Sequence, residues 1–471
     1  MRVRPHRFYD NYIHWGYTNF VLPWTESYSY QGLGRRMELL VEEERLSPKA
    51  AFERQWNRVL KMLAHAAETS PFYQKRFAEA GVRVERIQSP EDLKAIPPLT
   101  RDDLRTNLEE IYSRKFRRED LMEAATGGTT DTPVPILRSP ESLRWKSAVQ
   151  WCLNAWAGMR PGDKVFYLWG ARQDYSENPS WKWRLYDRHL MRRVYAPTSL
   201  FNEEVLETYR VMMNDLRPRI VYAYPTPLAL FCEYLQKSKR EFHHPASVIC
   251  TAEPLLPAQR RIIEEVLECP LFEHYGSREF SMIAGECEAH AGMHVNPCSA
   301  FLEYLPLEGL EDPDLREVLV TDLMNDGMPL IRYRANDCVI PESTSCSCGR
   351  GFPLIQRVVG RTADLFVLAN GDKVPGVSLT NRVLKVCPGL KKVQIVQQSL
   401  DRFLIRYVPG PGYATGDIDM LRVNLRRFLP EDLNWAFEEV AEIPRERSGK
   451  TRFCISLVKS PLAPEEAKVQ S

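Results

Sequence analysis

The segment VICTAEPLLPAQRRIIEEVLECPLFEHYGSRE, residues 248–279, decides how this chain is read. It opens on the apolar run Val248-Ile249-Cys250, continues with Ile262, Ile263, Val266 and Leu267 at helical steps, and closes on Leu271-Phe272. The short runs mark strands with covered faces, and the helical spacing predicts a helix from about Pro257 to Leu267 that buries those four residues. Strand, helix and strand in that order form a crossover α/β unit. The polar run His274-Tyr275-Gly276-Ser277-Arg278-Glu279 follows the second strand, at the carboxyl end where open α/β sheets bind ligands.

The same alternation reaches upstream through Val165-Phe166-Tyr167-Leu168-Trp169 and Ile220-Val221-Tyr222-Ala223-Tyr224. Earlier still, Ser47 reads as a helix N-cap with Pro48 at the first helical position. Phe52, Trp56, Val59, Leu60, Leu63 and Ala67 form an inward stripe on a helix that ends near Ser70-Pro71. The aromatics Tyr9, Tyr12, Trp15, Tyr17, Phe20, Trp24, Tyr28 and Tyr30 have no clean period, which predicts an irregular segment packed on the main domain. After Arg361 the pattern changes to Leu365-Phe366-Val367-Leu368, a turn at Asn370-Gly371 and an alternating strand through Phe403, Ile405 and Tyr407. We therefore expect an aromatic-rich extension over 1–50, a large α/β domain over 51–361 and a small α+β domain over 362–471.

With 471 residues, 44% hydrophobic and 27% charged, the chain can bury a large core and is not disordered. Its 63 Lys and Arg against 62 Asp and Glu leave a formal charge of +1, which excludes nucleic-acid binding through a large basic surface. No run reaches the roughly 18 apolar residues of a membrane-spanning helix, and the N-terminus lacks the apolar core of a secretory signal, so the expectation is a cytoplasmic protein. Eleven cysteines are too few and too scattered for a disulfide framework, and a cluster among them points first to a metal.

Four polar segments carry candidate chemistry. In Thr126-Gly127-Gly128-Thr129-Thr130-Asp131-Thr132-Pro133, adjacent glycines turn backbone N–H groups toward an anion and threonine hydroxyls add donors, a combination suited to a polyphosphate. It lacks the Lys-Ser/Thr pair of a Walker loop, and alone it reads equally as a polar turn. In the second segment, Glu279 suits Mg²⁺ bridging phosphate oxygens, although a lone glutamate on a loop is ordinarily a solvated acid. The third, Arg332-Tyr333-Arg334-Ala335-Asn336-Asp337 with Gly360-Arg361, offers an aspartate for ribose hydroxyls and arginines that equally suit surface salt bridges. The fourth is Pro444-Arg445-Glu446-Arg447-Ser448-Gly449-Lys450.

In this order and spacing, the four segments resemble the motifs of the adenylate-forming superfamily of acyl-CoA synthetases, adenylation domains and luciferases: a Ser/Thr/Gly phosphate loop, Tyr-Gly-x-x-Glu, Tyr-Arg-x-x-Asp and Pro-Arg-x-x-x-Gly-Lys. Asp92-Leu93, Ile96 to Leu104, Thr251-Ala252-Glu253-Pro254 and Met328 to Arg334 narrow the resemblance to the phenylacetate-CoA ligase branch, with its CapK-like and coenzyme F390 synthetase-like members. It covers residues from about 50 to 455. It implies a large multi-sheet N-terminal domain and a small mobile C-terminal lid. It also implies that Thr126, Gly127, Gly128, Thr129 and Thr130 contact the ATP phosphates. Ala252 and Glu253 would line the adenine, Tyr275 and Gly276 would sit near the adenine and acyl pocket, and Glu279 would bind Mg²⁺. Asp337 and Arg361 would hold the ribose, and Lys450 would reach in from the lid to the carboxylate and the α-phosphate, with Glu279 and Thr130 completing the catalytic set.

The chain departs from the family pattern at Asp131, Thr132, Asn336 and Ala363, with Asp364 one place beyond the usual acidic hinge. An acid at 131 weakens phosphate attraction unless it points away.

Cys346-Ser347-Cys348-Gly349 can offer two thiolates to one soft cation, and Cys287 and His294 complete a three-cysteine, one-histidine set. His290 and Cys338 compete as ligands, and two unmetallated pairs on separate loops are the alternative. The resemblance implies zinc, since similar residues bind it in the phenylacetate-CoA ligase branch. The other cysteines read as small core residues.

The activity so implied is ATP- and Mg²⁺-dependent activation of a carboxylic acid, aromatic by family precedent, as an acyl-adenylate, followed by transfer to CoA. Alternatives are transfer to an amine, amino-sugar or carrier protein, and a catalytically decayed zinc-containing binding protein. Trp169, Tyr222, Tyr224 and Phe280 read either as walls of an apolar pocket or as core.

Overall fold

The computed structural model describes residues 16–21, 31–125, 135–169, 185–198, 202–253, 255, 257–306, 314, 316–358, 365–367, 373–375, 387, 389–410, 412–414, 416–426, 433–441, 443 and 454–458. The chain forms two compact units, one of residues 1–127, 133–163 and 272–360, the other of residues 128–132, 164–271 and 361–471.

In the first unit the helix Pro48–Thr69 starts where the sequence places it. Ser47 Oγ accepts the Ala50 N–H at 3.3 Å and Pro48 occupies the first turn. Ser70 and Pro71 end it and open a second helix, Pro71–Glu79. One expected inward residue is corrected: Phe52 is 43% exposed. The buried stripe runs through Ala51, Gln55, Val59, Met62 and Ala66, so Phe52 lies one 100° step off its centre. Gln55 takes the buried position instead and donates its amide to Ala300 O at 2.7 Å, which satisfies a polar group that burial would otherwise penalise.

Seven antiparallel strands give this unit its framework. They lie in the order Ala300–Pro306, Arg316–Asp322, Tyr333–Glu342, Leu354–Val358, Met293–Val295, Ser281–Glu286 and Leu271–Ser277. Tyr73, Leu99, Ile283, Val320 and Tyr333 belong to one apolar core. The strands Met122–Ala125 and Pro135–Arg138 pair as an antiparallel hairpin, whose connection, residues 126–134, lies outside the described residues. Of the aromatic N-terminal segment, the helical turn Tyr17–Val21 is described, and a Cβ on Gly162 would lie 2.8 Å from the Tyr17 ring.

The second unit holds the crossover pattern. Ser247–Cys250, Ile220–Ala223, Val165–Trp169 and Arg193–Pro197 run parallel in that spatial order. Phe166, Leu168, Val221 and Ala223 form one core with Tyr209, Phe231, Ile263 and Leu267 from the helices Glu203–Leu216, Pro225–Ser238 and Pro257–Leu267. Trp169, Tyr222 and Tyr224 cluster with Tyr167 and Tyr195 in tilted and edge-on contacts, Tyr167 stacking on Tyr195, with ring centroids 4.6–6.4 Å apart.

Towards the C-terminus, Leu365–Val367 pairs with Lys373–Pro375 across the expected Asn370-Gly371 turn, whose residues lie outside the described set. A four-stranded mixed sheet follows in the order Asn434–Glu439, Arg402–Pro409, Leu390–Gln397, Cys454–Ser456. Phe403, Ile405 and Tyr407 point inward as their alternation requires, against Leu421 and Leu425 of the helix Gly416–Arg426. Among the described residues no helix is long and apolar enough to cross a membrane.

Candidate active site and cysteine cluster

The strand Leu271–Ser277 ends in a tight turn that returns as Ser281–Glu286. Glycine is required in this hairpin, because a Cβ on Gly276 would lie 2.4 Å from Ser281 O. Ser281 itself adopts a left-handed backbone, with φ of 65°, a conformation that non-glycine residues hold only where the surroundings impose it. Glu279 sits in this turn and is 6% exposed, so the solvated loop acid expected of a lone glutamate is not what the fold makes. Burial of a carboxylate demands a partner charge.

Tyr275, two residues before the turn, is buried and donates its hydroxyl to Asp337 Oδ2 at 3.0 Å. That bond joins the second and third sequence motifs across 62 residues. Arg332 and Arg334 of the third motif form ion pairs within the fold. Arg332, in a left-handed conformation at φ 51°, forks onto Glu303 at 3.0 Å and donates to Ile96 O, while Arg334 pairs with Glu317 at 3.2 Å. Phe280 is core, packed edge-on against Tyr333 at 5.6 Å. In the other unit, Glu253 is buried and Ala252 holds φ of 73°, a backbone strain of the kind found at ligand sites. Thr126, Gly127, Gly128, Thr129, Thr130, Arg361 and Lys450 lie outside the described residues.

Sequence reading missed the cations beneath the Glu279 turn. Lys146 Nζ, on the helix Pro140–Trp156, donates to Phe280 O at 2.9 Å and to Asp322 Oδ2 at 2.6 Å, and Arg138 donates to Arg278 O. A lysine within a helix gives no local signal of such a role.

The sulfur and imidazole ligands do converge. Ligand atoms of Cys287, His294, Cys346 and Cys348 all lie within 4.8 Å of one another. Cys287 Sγ is 3.6 Å from Cys346 Sγ, and Cys348 Sγ is 3.3 Å from His294 Nε2. Bond lengths near 2.3 Å to sulfur and 2.0 Å to nitrogen give about these separations around one tetrahedral ion. The His294 Nδ1–H donates to Phe352 O at 3.3 Å, which leaves Nε2 as the ligand atom, and the Ala289 and Arg350 N–H groups donate to Cys287 and Cys348 sulfurs at 3.5 and 3.4 Å. Burial, then the Cys348 and Cys346 thiols, push the Cys287 thiol well above its usual range; a cation is what would draw out those protons. His290 is directed elsewhere, 3.5 Å from Glu286 and tilted against Phe272 at 4.8 Å, and the Cys338 side chain lies outside the described set. Cys152, Cys232, Cys250, Cys269, Cys298 and Cys387 are buried free thiols, as expected.

The fold is that of the adenylate-forming CoA ligases. Structures of 2-hydroxyisobutyryl-CoA ligase match with a TM-score of 0.60 in the thioesterification state, at 18% identity over 88% of this chain and 91% of that one, and 0.55 in an open conformation, at 17% identity over 88% and 93%. Within that class the relatives are narrower, and they bear out the resemblance read from the motifs. Residues 366–457 match the family model of the CapK C-terminal domain. The chain is 23% identical over 414 residues to protein CapK of Staphylococcus aureus, covering 87% of this chain and 90% of the relative. It is 26% identical over 359 residues to the phenylacetate-coenzyme A ligase of Pseudomonas putida, covering 74% and 79%.

Proposed function

We propose that this protein activates a carboxylic acid with ATP and then transfers the acyl group to CoA. The carboxylate oxygen attacks the α-phosphorus and pyrophosphate leaves; the thiol then attacks the acyl carbonyl and AMP leaves. The observation that carries this reading is the Tyr275–Asp337 hydrogen bond beside the buried Glu279 turn, since it joins two motifs that a nucleotide site needs together. Phenylacetate-coenzyme A ligases among the relatives, and the 2-hydroxyisobutyryl-CoA ligase structures bound to 2-HIB-AMP and CoA, support the same chemistry.

In this reading Asp337 accepts the ribose hydroxyls, with Tyr275 holding one of its oxygens, and Arg361 assists. Ala252 and Glu253 line the adenine, and the Thr126–Thr130 loop donates to the phosphates. Glu279 holds Mg²⁺, which supplies charge neutralisation between the carboxylate and the α-phosphate. Lys450 contributes a second cation at that position from the C-terminal lid. Cys287, His294, Cys346 and Cys348 hold zinc, whose closed ligand set serves structure.

Carboxylate-dependent exchange of labelled pyrophosphate into ATP tests the first half-reaction across a panel of aromatic and aliphatic acids. Lys450→Ala is expected to lower that exchange by at least about 100-fold, the scale of losing one oriented electrostatic donor. A folded wild type inactive with every acid overturns the reading. AMP release with and without CoA then separates a thiol acceptor from an amine or carrier protein.

A further inference from the structure

The Glu279 turn is held from beneath by a buried lysine and a partly buried arginine that the adenylation chemistry does not itself require. Lys146 has a side-chain exposure of 4% and its partner Asp322 of 0%. Removing such a pair from water is expensive, and apolar replacements of similar shape are often as stable, so stability alone does not account for the pair. The geometry here is specific. Lys146 donates to Phe280 O at 2.9 Å and Arg138 donates to Arg278 O, so the carbonyls on both sides of Glu279 are each fixed by a cation. Asp322 is held in turn by the Met324 and Asn325 N–H groups on its other oxygen, at 2.9 and 3.2 Å. Phe280 O lies one peptide beyond Glu279, and the intervening plane is held by the Phe280 N–H, which donates to Ser277 Oγ at 3.4 Å; with the Arg278–Glu279 plane held by Arg138, the Glu279 Cα–Cβ direction is set.

We infer that Lys146 and Arg138 are positioning residues: they clamp the Arg278–Phe280 turn so that the Glu279 carboxylate meets its divalent cation in one orientation. This rests on the adenylation reading given above. Burial pulls Lys146 below its usual pKa and Asp322 opposes that shift; Arg138 is likewise lowered by burial, with Asp322 and Glu279 opposing.

The test uses the full-length protein carrying Lys146→Met with Asp322→Asn, which removes the pair together and leaves no lone buried charge, and separately Arg138→Gln. In each folded variant, the Mg²⁺ concentration for half-maximal pyrophosphate exchange is expected to rise about tenfold or more, the usual cost of losing a group that orients a metal ligand, while the acid's KM stays put. A purely structural pair would lower the unfolding temperature and leave the Mg²⁺ dependence alone, and that result overturns the proposal. Wild-type exchange is the separate test of adenylation. If the wild type exchanges with no acid, that reading has failed, and the clamp is judged on deuterium uptake by the Ser277–Phe280 amides. Faster uptake in the variants upholds it, and equal uptake overturns it.

Discussion

Tyr275 and Asp337 show how one hydroxyl can set a buried carboxylate. Asp337 is buried, and an oxygen bonded to Tyr275 is held for whatever the remaining lone pairs accept. Tyr275→Phe keeps the ring in its core position and removes that donor. The expected loss is about 1 to 3 kcal/mol of stability, the cost of taking one donor from a buried acceptor, together with weaker AMP binding; thermal unfolding and calorimetric titration check both. His274, one residue earlier, is 2% exposed, and a Cβ on Gly285 would lie 3.0 Å from its ring. Burial pulls its imidazole down to about 4, against the opposing pull of Glu286. Between pH 6.5 and 4 the unfolded chain therefore binds a proton that the folded chain refuses. Stability is full above pH 6.5, falls as pH drops towards 4, and then levels, for a total on the order of 3 kcal/mol from this residue. Denaturant midpoints at pH 7.5 and 4.5 should differ less in His274→Gln than in the wild type. An unchanged difference would count against this assignment.

At the scale of elements, the Tyr-Gly-x-x-Glu signature resolves into the mechanics of a hairpin. Tyr275 faces the core, Gly276 lets the return strand pass at 2.4 Å from where a Cβ would sit, and Glu279 occupies the turn. Gly276→Ala is expected to force the strands apart at the bulge between Tyr275 and Gly276, and to reduce exchange activity at least as strongly as Tyr275→Phe. Parallel measurements of the two variants, each with its circular dichroism, decide this. The elements themselves were legible because their periods are strong: the crossover strands, the helix after Ser47 and the inward Phe403, Ile405 and Tyr407 all follow local alternation. Phe52 and Gln55 were not, because hydrophobicity identifies a stripe but not its centre, and a buried amide is decided by a carbonyl 245 residues away. Lys146 and Arg138 escaped for the same reason, since their partners lie 134 and 140 residues distant.

For the molecule as a whole, the cysteine cluster would act as a cross-link once it holds the proposed zinc. Cys287 follows the strand Ser281–Glu286, so it lies about 20 Å along the chain from Ser281, where the Glu279 turn ends, at roughly 3.4 Å per residue. Cys346 and Cys348 come from the loop after Tyr333–Glu342. The next residues tie in the N-terminal region: Arg350 pairs with Glu44 of the helix Leu33–Glu44 at 3.2 Å and stacks on Trp156 at 4.7 Å, and Trp156 Nε1 donates to Glu44 at 2.9 Å. The paired cysteines were visible in the sequence through their spacing, whereas the Glu44–Arg350 link spans 306 residues and leaves no local trace. A metal bound here would fix the loop that carries Arg350, and Arg350 pairs with Glu44 of the helix. Zinc at a hundredfold excess over its Kd would add about 2.7 kcal/mol to folding. Stripping it with a chelator, or substituting Cys348→Ser, should therefore remove one equivalent of zinc per chain by elemental analysis and lower the unfolding temperature by several degrees. Amides of Leu33–Glu44 should exchange faster with deuterium, while pyrophosphate exchange per folded molecule in the cold stays close to that of the loaded protein. A large loss of exchange activity with the helix still protected would instead make the cluster part of the catalytic machinery.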